Sequence, residues 1–215
     1  GLDVMKEYTL KTAPSPLSLG IMILGIPGGG KSHFSKALGN ELAIPTLSLD
    51  FSRMMSSLVG NSEANMRNAL KAVDAMGRVL VFCDEVEKGL AGARSSGELD
   101  SGVKAGVAGN FLRWLSDREP GRAYVIATCN RIDLLPPEYQ RAERWDAIFF
   151  VDLPNRREKD AIWPIHQVRF KVGIFGAAQK YPDDTDWTGA EIKSCCRTAA
   201  MMGCTLQEAA RYVIP

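Results

Sequence analysis

The sequence predicts an α/β fold, a parallel sheet flanked by helices, followed by a small all-helical domain. Three observations predict it. Five short apolar runs with strand character alternate with helical patterns up to Pro154. The first of those runs feeds a glycine-rich stretch that in turn opens a helix. After Pro154 the strand signal stops and only helical patterns remain.

In order, the strand candidates are residues 21–24, 46–49, 79–83, 124–127 and 148–151. Their alternation with helical patterns predicts a parallel sheet covered on both faces. Phe34, Ala37, Leu38 and Leu42 mark a helix after the first strand. Met66, Ala69, Leu70 and Val73 keep the i, i+3, i+4, i+7 spacing, and Phe111, Leu112 and Leu115 mark a further helical face. Strands joined through helices pair in parallel, because a parallel neighbour needs a long crossover. Residues 91–102, rich in Gly, Ser and Ala, read as a mobile loop. Beyond Pro154, Asn155, Thr188 and Thr205 each stand three residues before a glutamate (Glu158, Glu191, Glu208), the spacing of a capping box. The domain boundary is therefore expected near Pro154, with residues 1–154 forming the α/β domain and 155–215 the helical one. Trp163 and Trp187 are expected to pack the helical domain.

Composition sets outer limits. A chain of 215 residues, 46% of them hydrophobic, suits one globular unit or one domain with a small appendage. A formal net charge of +1 argues against a broad electrostatic footprint for nucleic acid. No apolar stretch has the length of a membrane span, so no membrane partner is expected. The opening Gly1-Leu2-Asp3-Val4 has neither the basic nor the apolar region of a signal peptide. It also lacks an initiator Met, which reads as a piece of a longer protein. The five cysteines (Cys83, Cys129, Cys195, Cys196, Cys204) have no C-x-x-C spacing, and two of them are adjacent. That pattern points to buried thiols in a reducing, cytosol-like compartment. Two distant histidines and scattered cysteines offer no zinc ligand set.

The glycine-rich stretch is Gly25-Ile26-Pro27-Gly28-Gly29-Gly30-Lys31-Ser32, which reads G-x-x-x-x-G-K-S. Glycines let backbone N–H groups converge on phosphate oxygens without Cβ clashes. Lys31 can then reach the outer phosphates, the Ser32 hydroxyl can ligate Mg²⁺, and the helix start adds a positive dipole end. The expected nucleotide contacts run over Pro27, Gly28, Gly29, Gly30, Lys31, Ser32 and His33. Within that stretch His33 simply follows the loop on its helix. The second half of the site is Val79-Leu80-Val81-Phe82-Cys83-Asp84-Glu85, an apolar strand ending in two acids. Asp84 can hold Mg²⁺, usually through its water, and Glu85 can act as general base on an attacking water. An adjacent Asp-Glu pair favours hydrolysis over transfer to a small acceptor.

With these residues in order, the chain resembles the AAA family of ATPases over nearly its whole length, and the fold expected is that of a P-loop NTPase with a helical lid. Gly25 to Ser32 match Walker A, and Val79 to Glu85 match Walker B. Val125-Ile126-Ala127-Thr128-Cys129-Asn130-Arg131 resembles the sensor-1 strand, which implies Asn130 near the γ-phosphate; an ordinary strand-ending turn is the alternative. Arg141-Ala142-Glu143-Arg144-Trp145-Asp146 resembles R-x-G-R-F-D, which implies Arg141 and Arg144 as arginine fingers for a neighbouring subunit rather than solvated surface arginines. Trp187-Thr188-Gly189-Ala190-Glu191-Ile192 is similar to the start of a lid helix near the adenine, implying contacts from Gly189 and Ala190. Ile165-His166 resembles a pair whose histidine lies near sugar and base, the alternative being a lid-core histidine. Gly1 to Lys6 look like the end of an adenine-binding element. Leu58-Val59-Gly60-Asn61-Ser62-Glu63 and Phe149-Phe150-Val151-Asp152-Leu153-Pro154 look closest to a poorly characterised AAA group known from cyanobacteria and plastid genomes.

The resemblance implies an ATP- and Mg²⁺-dependent ATPase in the cytoplasm, or in a plastid stroma, acting on a protein partner as a homo-oligomeric ring, a hexamer by family likeness. ATP is expected between the α/β domain and the lid. Two departures matter. Glu143 stands where the family has Gly, so it either pairs with an arginine and restrains it or helps to orient it. Leu58 and Val59 occupy pore positions where many family members carry an aromatic, which favours local remodelling over processive threading. These departures keep a second reading open, a nucleotide-gated assembly or scaffold protein with little turnover. A nucleic-acid motor is the third and weakest, since no basic stripe with stacking aromatics is present.

Overall fold

The computed structural model describes residues 2–51, 61–90, 99–173 and 180–214. The elements run α1 (Asp3–Thr12), β1 (Gly20–Gly25), α2 (Lys31–Leu42), β2 (Thr46–Leu49), α3 (Asn61–Ala75), β3 (Val79–Cys83), α4 (Val86–Leu90), α5 (Leu99–Asp117), β4 (Ala123–Cys129), β5 (Ala147–Val151), α6 (Arg156–Phe170), α7 (Gly189–Met202) and α8 (Leu206–Ala209), with short 3₁₀ turns between β4 and β5 and after α8. The five strands form one sheet in the order β2-β3-β4-β1-β5. The β2–β3, β3–β4 and β4–β1 ladders are parallel. By compactness the chain divides into two units. Leu2–Gly25 and Lys31–Phe150 make the first, and Ile26–Gly30 and Val151–Pro215 belong to the second.

The first unit is built on the three central strands, because their apolar runs have nowhere else to go. Every residue of β3 and β4 is buried, and β1 is buried but for Leu24. Met22, Val81, Val125 and Ala127 meet Met66, Leu70 and Val73 of α3 and Phe111 and Leu115 of α5 in one core. Phe111 is the hub of that core, edge-on to Phe51 at 4.9 Å and stacked with Trp114 and Tyr139. Truncating such a ring costs about 3–5 kcal/mol.

One sequence expectation is corrected here. The stretch 91–102 was expected to be loop throughout, yet α5 begins at Leu99. Packing overrides the weak helix propensity of Gly and Ser. The face formed by Val107, Ala108, Phe111 and Leu115 is buried, and the helix that carries it extends back over the small residues. Gly106 leaves the room that the Glu63 side chain of α3 fills, for a Cβ there would lie 1.9 Å from Glu63 Oε1. Residues 91–98 lie outside the described residues.

In the second unit, the three predicted capping boxes form. Asn155, Thr188 and Thr205 cap α6, α7 and α8, and the backbone N–H of each donates in return to the carboxylate of its glutamate. Trp163 is fully buried, stacks on Tyr181 at 4.7 Å and donates from Nε1 to Asp184 Oδ2 at 2.8 Å. Asp184 also accepts from Arg156 Nη1 at 2.7 Å, so the buried carboxylate is paired. Trp187, Ile192, Cys195, Cys196 and Leu206 complete this small core. No helix among the described residues is long and apolar enough to cross a membrane.

Candidate functional site

The site begins where β1 ends. Between Gly25 and Lys31 the chain turns through Gly28 and Gly30, both with positive φ (+79° and +90°). At Gly28 a side chain would not fit, since a Cβ would stand 2.4 Å from Thr188 Oγ1 and 2.9 Å from the Ala190 Cβ. The loop therefore packs against the start of α7. The Thr188 hydroxyl there accepts from the Ala190 N–H at 3.1 Å, and Gly28 O lies 3.7 Å from the Cβ position of Gly189. Pro27 and His33 are exposed.

Lys31 opens α2 and is buried, with Nζ donating to Gly25 O at 2.8 Å. Burial pulls its pKa down, and the nearby Glu87, Asp84, Cys129 and Glu85 pull it partly back up. One residue on, Ser32 Oγ donates to both carboxylate oxygens of Asp84, at 3.0 and 2.9 Å. A hydroxyl and a carboxylate held together in this way form a hard oxygen donor set, the kind that suits Mg²⁺.

The acids lie just past β3, where the parallel register sets Cys83 beside Ala127 of β4. Residues following Cys83 and Ala127 therefore face one another. Thr128 Oγ1 donates to Asp84 Oδ1 at 2.5 Å and accepts from the Glu85 N–H at 2.9 Å. Glu85 has a φ of +48°, rare for a residue with a side chain. Its Oε1 accepts from Asn130 Nδ2 at 3.0 Å, and its Oε2 pairs with Lys88 Nζ at 2.6 Å. The Asn130 N–H donates to Oε1 of the buried Glu87 at 3.0 Å. The structure thus brings Lys31, Ser32, Asp84, Glu85 and Asn130 together.

Sequence reasoning gave no role to Thr128, Glu87 or Lys88. The available signal was polarity: Thr128 interrupts an apolar strand two residues before Asn130, and Glu87 follows the Asp84-Glu85 pair by two.

Arg141 is exposed. Arg144 is engaged within its own chain, with Nε donating to Ser116 Oγ at 3.0 Å and Nη1 to Glu138 O. Glu143, between the two arginines, is exposed. The segment is anchored by the buried Trp145, whose Nε1 donates to Tyr139 O at 2.6 Å, and by Asp146, whose Oδ2 accepts from the N–H groups of Leu19 and Gly20 at 2.9 and 2.8 Å. His166, on α6, has its ring 6.5 Å from that of Phe170. Leu58 and Val59 lie outside the described residues.

The family model described as ATPase family associated with various cellular activities (AAA) matches residues 21–153. The chain belongs to the AAA family of ATPases. Among curated proteins it is 38% identical over 176 residues to the uncharacterised AAA domain-containing protein ycf46 of Pyropia yezoensis, a match covering 77% of this chain and 35% of that protein. Against the protein of the same name from Trieres chinensis it is 32% identical over 206 residues, 90% of this chain and 41% of the relative. It is also 30% identical over 189 residues to the cell division cycle protein 48 homolog of Archaeoglobus fulgidus, covering 85% of this chain and 25% of that one. The chain thus spans less than half the length of these relatives. The AAA family binds ATP, and this chain has a loop glycine with no room for a Cβ, a buried lysine and a Ser–Asp oxygen pair.

Proposed function

We propose that this chain is the ATPase core of a protein-remodelling assembly, hydrolysing ATP with Mg²⁺ as an oligomeric ring. The observation that carries the reading is the 3.0 Å contact between Asn130 Nδ2 and Glu85 Oε1, beside the Ser32–Asp84 pair. It supports a general base steered by a polar neighbour next to a metal-binding donor set. In this reading the loop amides and Lys31 bind the phosphates, while Ser32 and Asp84, the latter through water, hold the cation. When bound, Mg²⁺ neutralises phosphate charge and aligns the β- and γ-phosphates. Glu85 accepts the proton of the attacking water, and Asn130 fixes the direction from which Glu85 does so.

Arg141 and Arg144 act on the site of an adjacent subunit, where an arginine finger is worth roughly 10³–10⁵-fold in turnover. Gly189, Ala190 and His166 are assigned to the base and sugar end of the nucleotide. Domain limits at residues 1–154 and 155–215, a cytoplasmic or stromal setting and a protein substrate complete the proposal. The similarity to ATPases such as the cell division cycle protein 48 homolog supports it.

One observation favours the second reading, a nucleotide-gated assembly protein with little turnover. The Arg144 guanidinium is held by Ser116 and Glu138 of its own chain, as in a subunit not committed to catalysis in trans.

The test is ATPase activity per subunit, with Mg²⁺, against protein concentration. The motor predicts activity that rises with concentration and collapses in Arg144→Ala. Adding Glu85→Gln subunits, which retain their arginines, should restore turnover to the Arg144→Ala protein. Flat, near-zero activity despite ATP binding would select the nucleotide-gated reading.

A further inference from the structure

We propose that Thr128 is a positioning residue of the ATPase site, whose hydroxyl ties the carboxylate of Asp84 to the backbone of Glu85. For turnover this rests on the function proposed above; for geometry it does not.

Thr128 is 1% exposed, near the end of β4. A buried hydroxyl must place one donor and find a use for its lone pairs. In a strand those needs are ordinarily met locally. Here both bonds cross to the turn after β3 and meet adjacent residues assigned different tasks. The hydrogen goes to Asp84 Oδ1 and a lone pair takes the Glu85 N–H.

Two consequences follow. Asp84 is gripped by two hydroxyls, those of Ser32 and Thr128. The Ser32 hydroxyl is also the one assigned to the cation, and that of Thr128 is not. Thr128 is therefore the hydroxyl that can hold Asp84 in place throughout. Glu85, meanwhile, sits in a left-handed conformation that a residue with a Cβ adopts only when its surroundings hold it there. Its N–H bond to Thr128 is part of that hold, and the conformation sets where the carboxylate points. A slip here would move the metal-binding acid and the general base together. Neighbours of this kind typically change activity or metal affinity 10–100-fold when removed.

The experiment compares Thr128→Val, which keeps the branched shape and loses the hydroxyl, with Thr128→Ser, which keeps the hydroxyl. Both are made in the full chain with thermal melts as the folding control. In the first measurement, hydrogen exchange at the Glu85 amide is followed by NMR without nucleotide. Exchange should accelerate about tenfold or more in Thr128→Val and stay close to wild type in Thr128→Ser. The second measurement is steady-state kinetics at high protein concentration. The kcat of Thr128→Val should fall about 10–100-fold while KM for ATP changes less than about threefold, and Thr128→Ser should recover most of the loss.

Unchanged exchange in Thr128→Val overturns the proposal. So does faster exchange with unaltered kcat, which would leave Thr128 a purely structural residue. If the wild type binds ATP but turns over none at any concentration, the ATPase reading fails, and Thr128 is judged on the Mg²⁺ dependence of nucleotide binding. A midpoint moved severalfold by Thr128→Val and restored by Thr128→Ser then sustains it, and an unmoved midpoint overturns it.

Discussion

The backbone N–H of Asn130 donates to Oε1 of Glu87 at 3.0 Å, so the residue whose side chain bonds Glu85 is itself tethered to a buried carboxylate. Glu87 also pulls up the pKa of Lys31, which burial pulls down. A carboxylate with almost no exposure is costly to keep, and these two tasks account for it. Glu87→Ala leaves the Asn130 N–H without its acceptor and should lower both stability and kcat, by about 1–3 kcal/mol and about tenfold respectively. Glu87→Gln keeps an acceptor and should be stable, with a weaker hold on charged Lys31 and so a raised KM for ATP. Urea unfolding and steady-state kinetics check both variants; equal kcat for Glu87→Ala and wild type would defeat the assignment.

Arg118 holds the arginine segment from below. It is 8% exposed, and its guanidinium donates to Leu19 O at 3.0 Å, to Arg144 O at 2.9 Å and to Leu115 O, with Cζ 5.6 Å from the Trp114 ring centre. Burial lowers its pKa to about 10, against the pull of Asp146, so it stays charged at neutral pH. Arg118→Met takes a donor from three carbonyl oxygens, of which Leu19 O keeps the Val125 N–H, and should destabilise the first unit by about 3 kcal/mol. Arg118→Lys keeps the charge but not the planar fork, and should lose about 2 kcal/mol. If Arg118→Lys folds normally, its ATPase should still fall, because the Arg144 carbonyl has lost its anchor. Wild-type stability in Arg118→Met would refute this account.

Much of the fold was legible in the sequence because its signals are local. Strands 46–49 and 79–83 have their predicted limits, and the others differ by one or two residues; the central strands were the plainest, because a run covered on both faces must be apolar throughout. The three capping boxes were legible for a similar reason: spacing three apart is all that they need. The start of α5 was not legible, since Gly and Ser there speak for a loop and only contacts further along the helix overrule them. Thr128 and Glu87 escaped notice because their partners come from the β3–β4 register. The tether of Arg144 to Ser116 spans 28 positions and leaves no pattern in either segment.

The cap of α8 makes a pH prediction. The Thr205 N–H and hydroxyl both donate to Glu208 Oε2, at 2.9 and 2.8 Å, and these bonds hold the Glu208 carboxyl below its ordinary value of 4.5. Because the folded pKa is the lower one, the stabilisation is complete above about 4.5 and is lost as pH falls through the folded value. Thr205→Ala should lower the melting temperature of the helical unit by about 2–4 °C at pH 7. The gap between Thr205→Ala and wild type should narrow steadily below pH 4.5. Melts from pH 7 downward check this, and a gap constant with pH would show that the bond from the Thr205 hydroxyl to Glu208 contributes nothing.

Gly28 and Gly77 separate the two reasons a glycine is needed. Both have positive φ, +79° and +75°, so an alanine at either carries the same left-handed penalty, about 1–2 kcal/mol. Around Gly77 nothing lies within 4 Å of a Cβ, whereas at Gly28 the Cβ meets Thr188 Oγ1 and Ala190. Gly77→Ala should therefore lose a little stability and bind nucleotide as the wild type does. Gly28→Ala must displace either the phosphate loop or the cap of α7, and its affinity for a fluorescent ATP analogue should fall about tenfold or more. The comparison cancels the shared backbone strain and leaves only the fit of the loop. Wild-type affinity in Gly28→Ala would mean that the nucleotide is bound by some other shape of this loop, and that the packing of Gly28 on Thr188 belongs to stability alone.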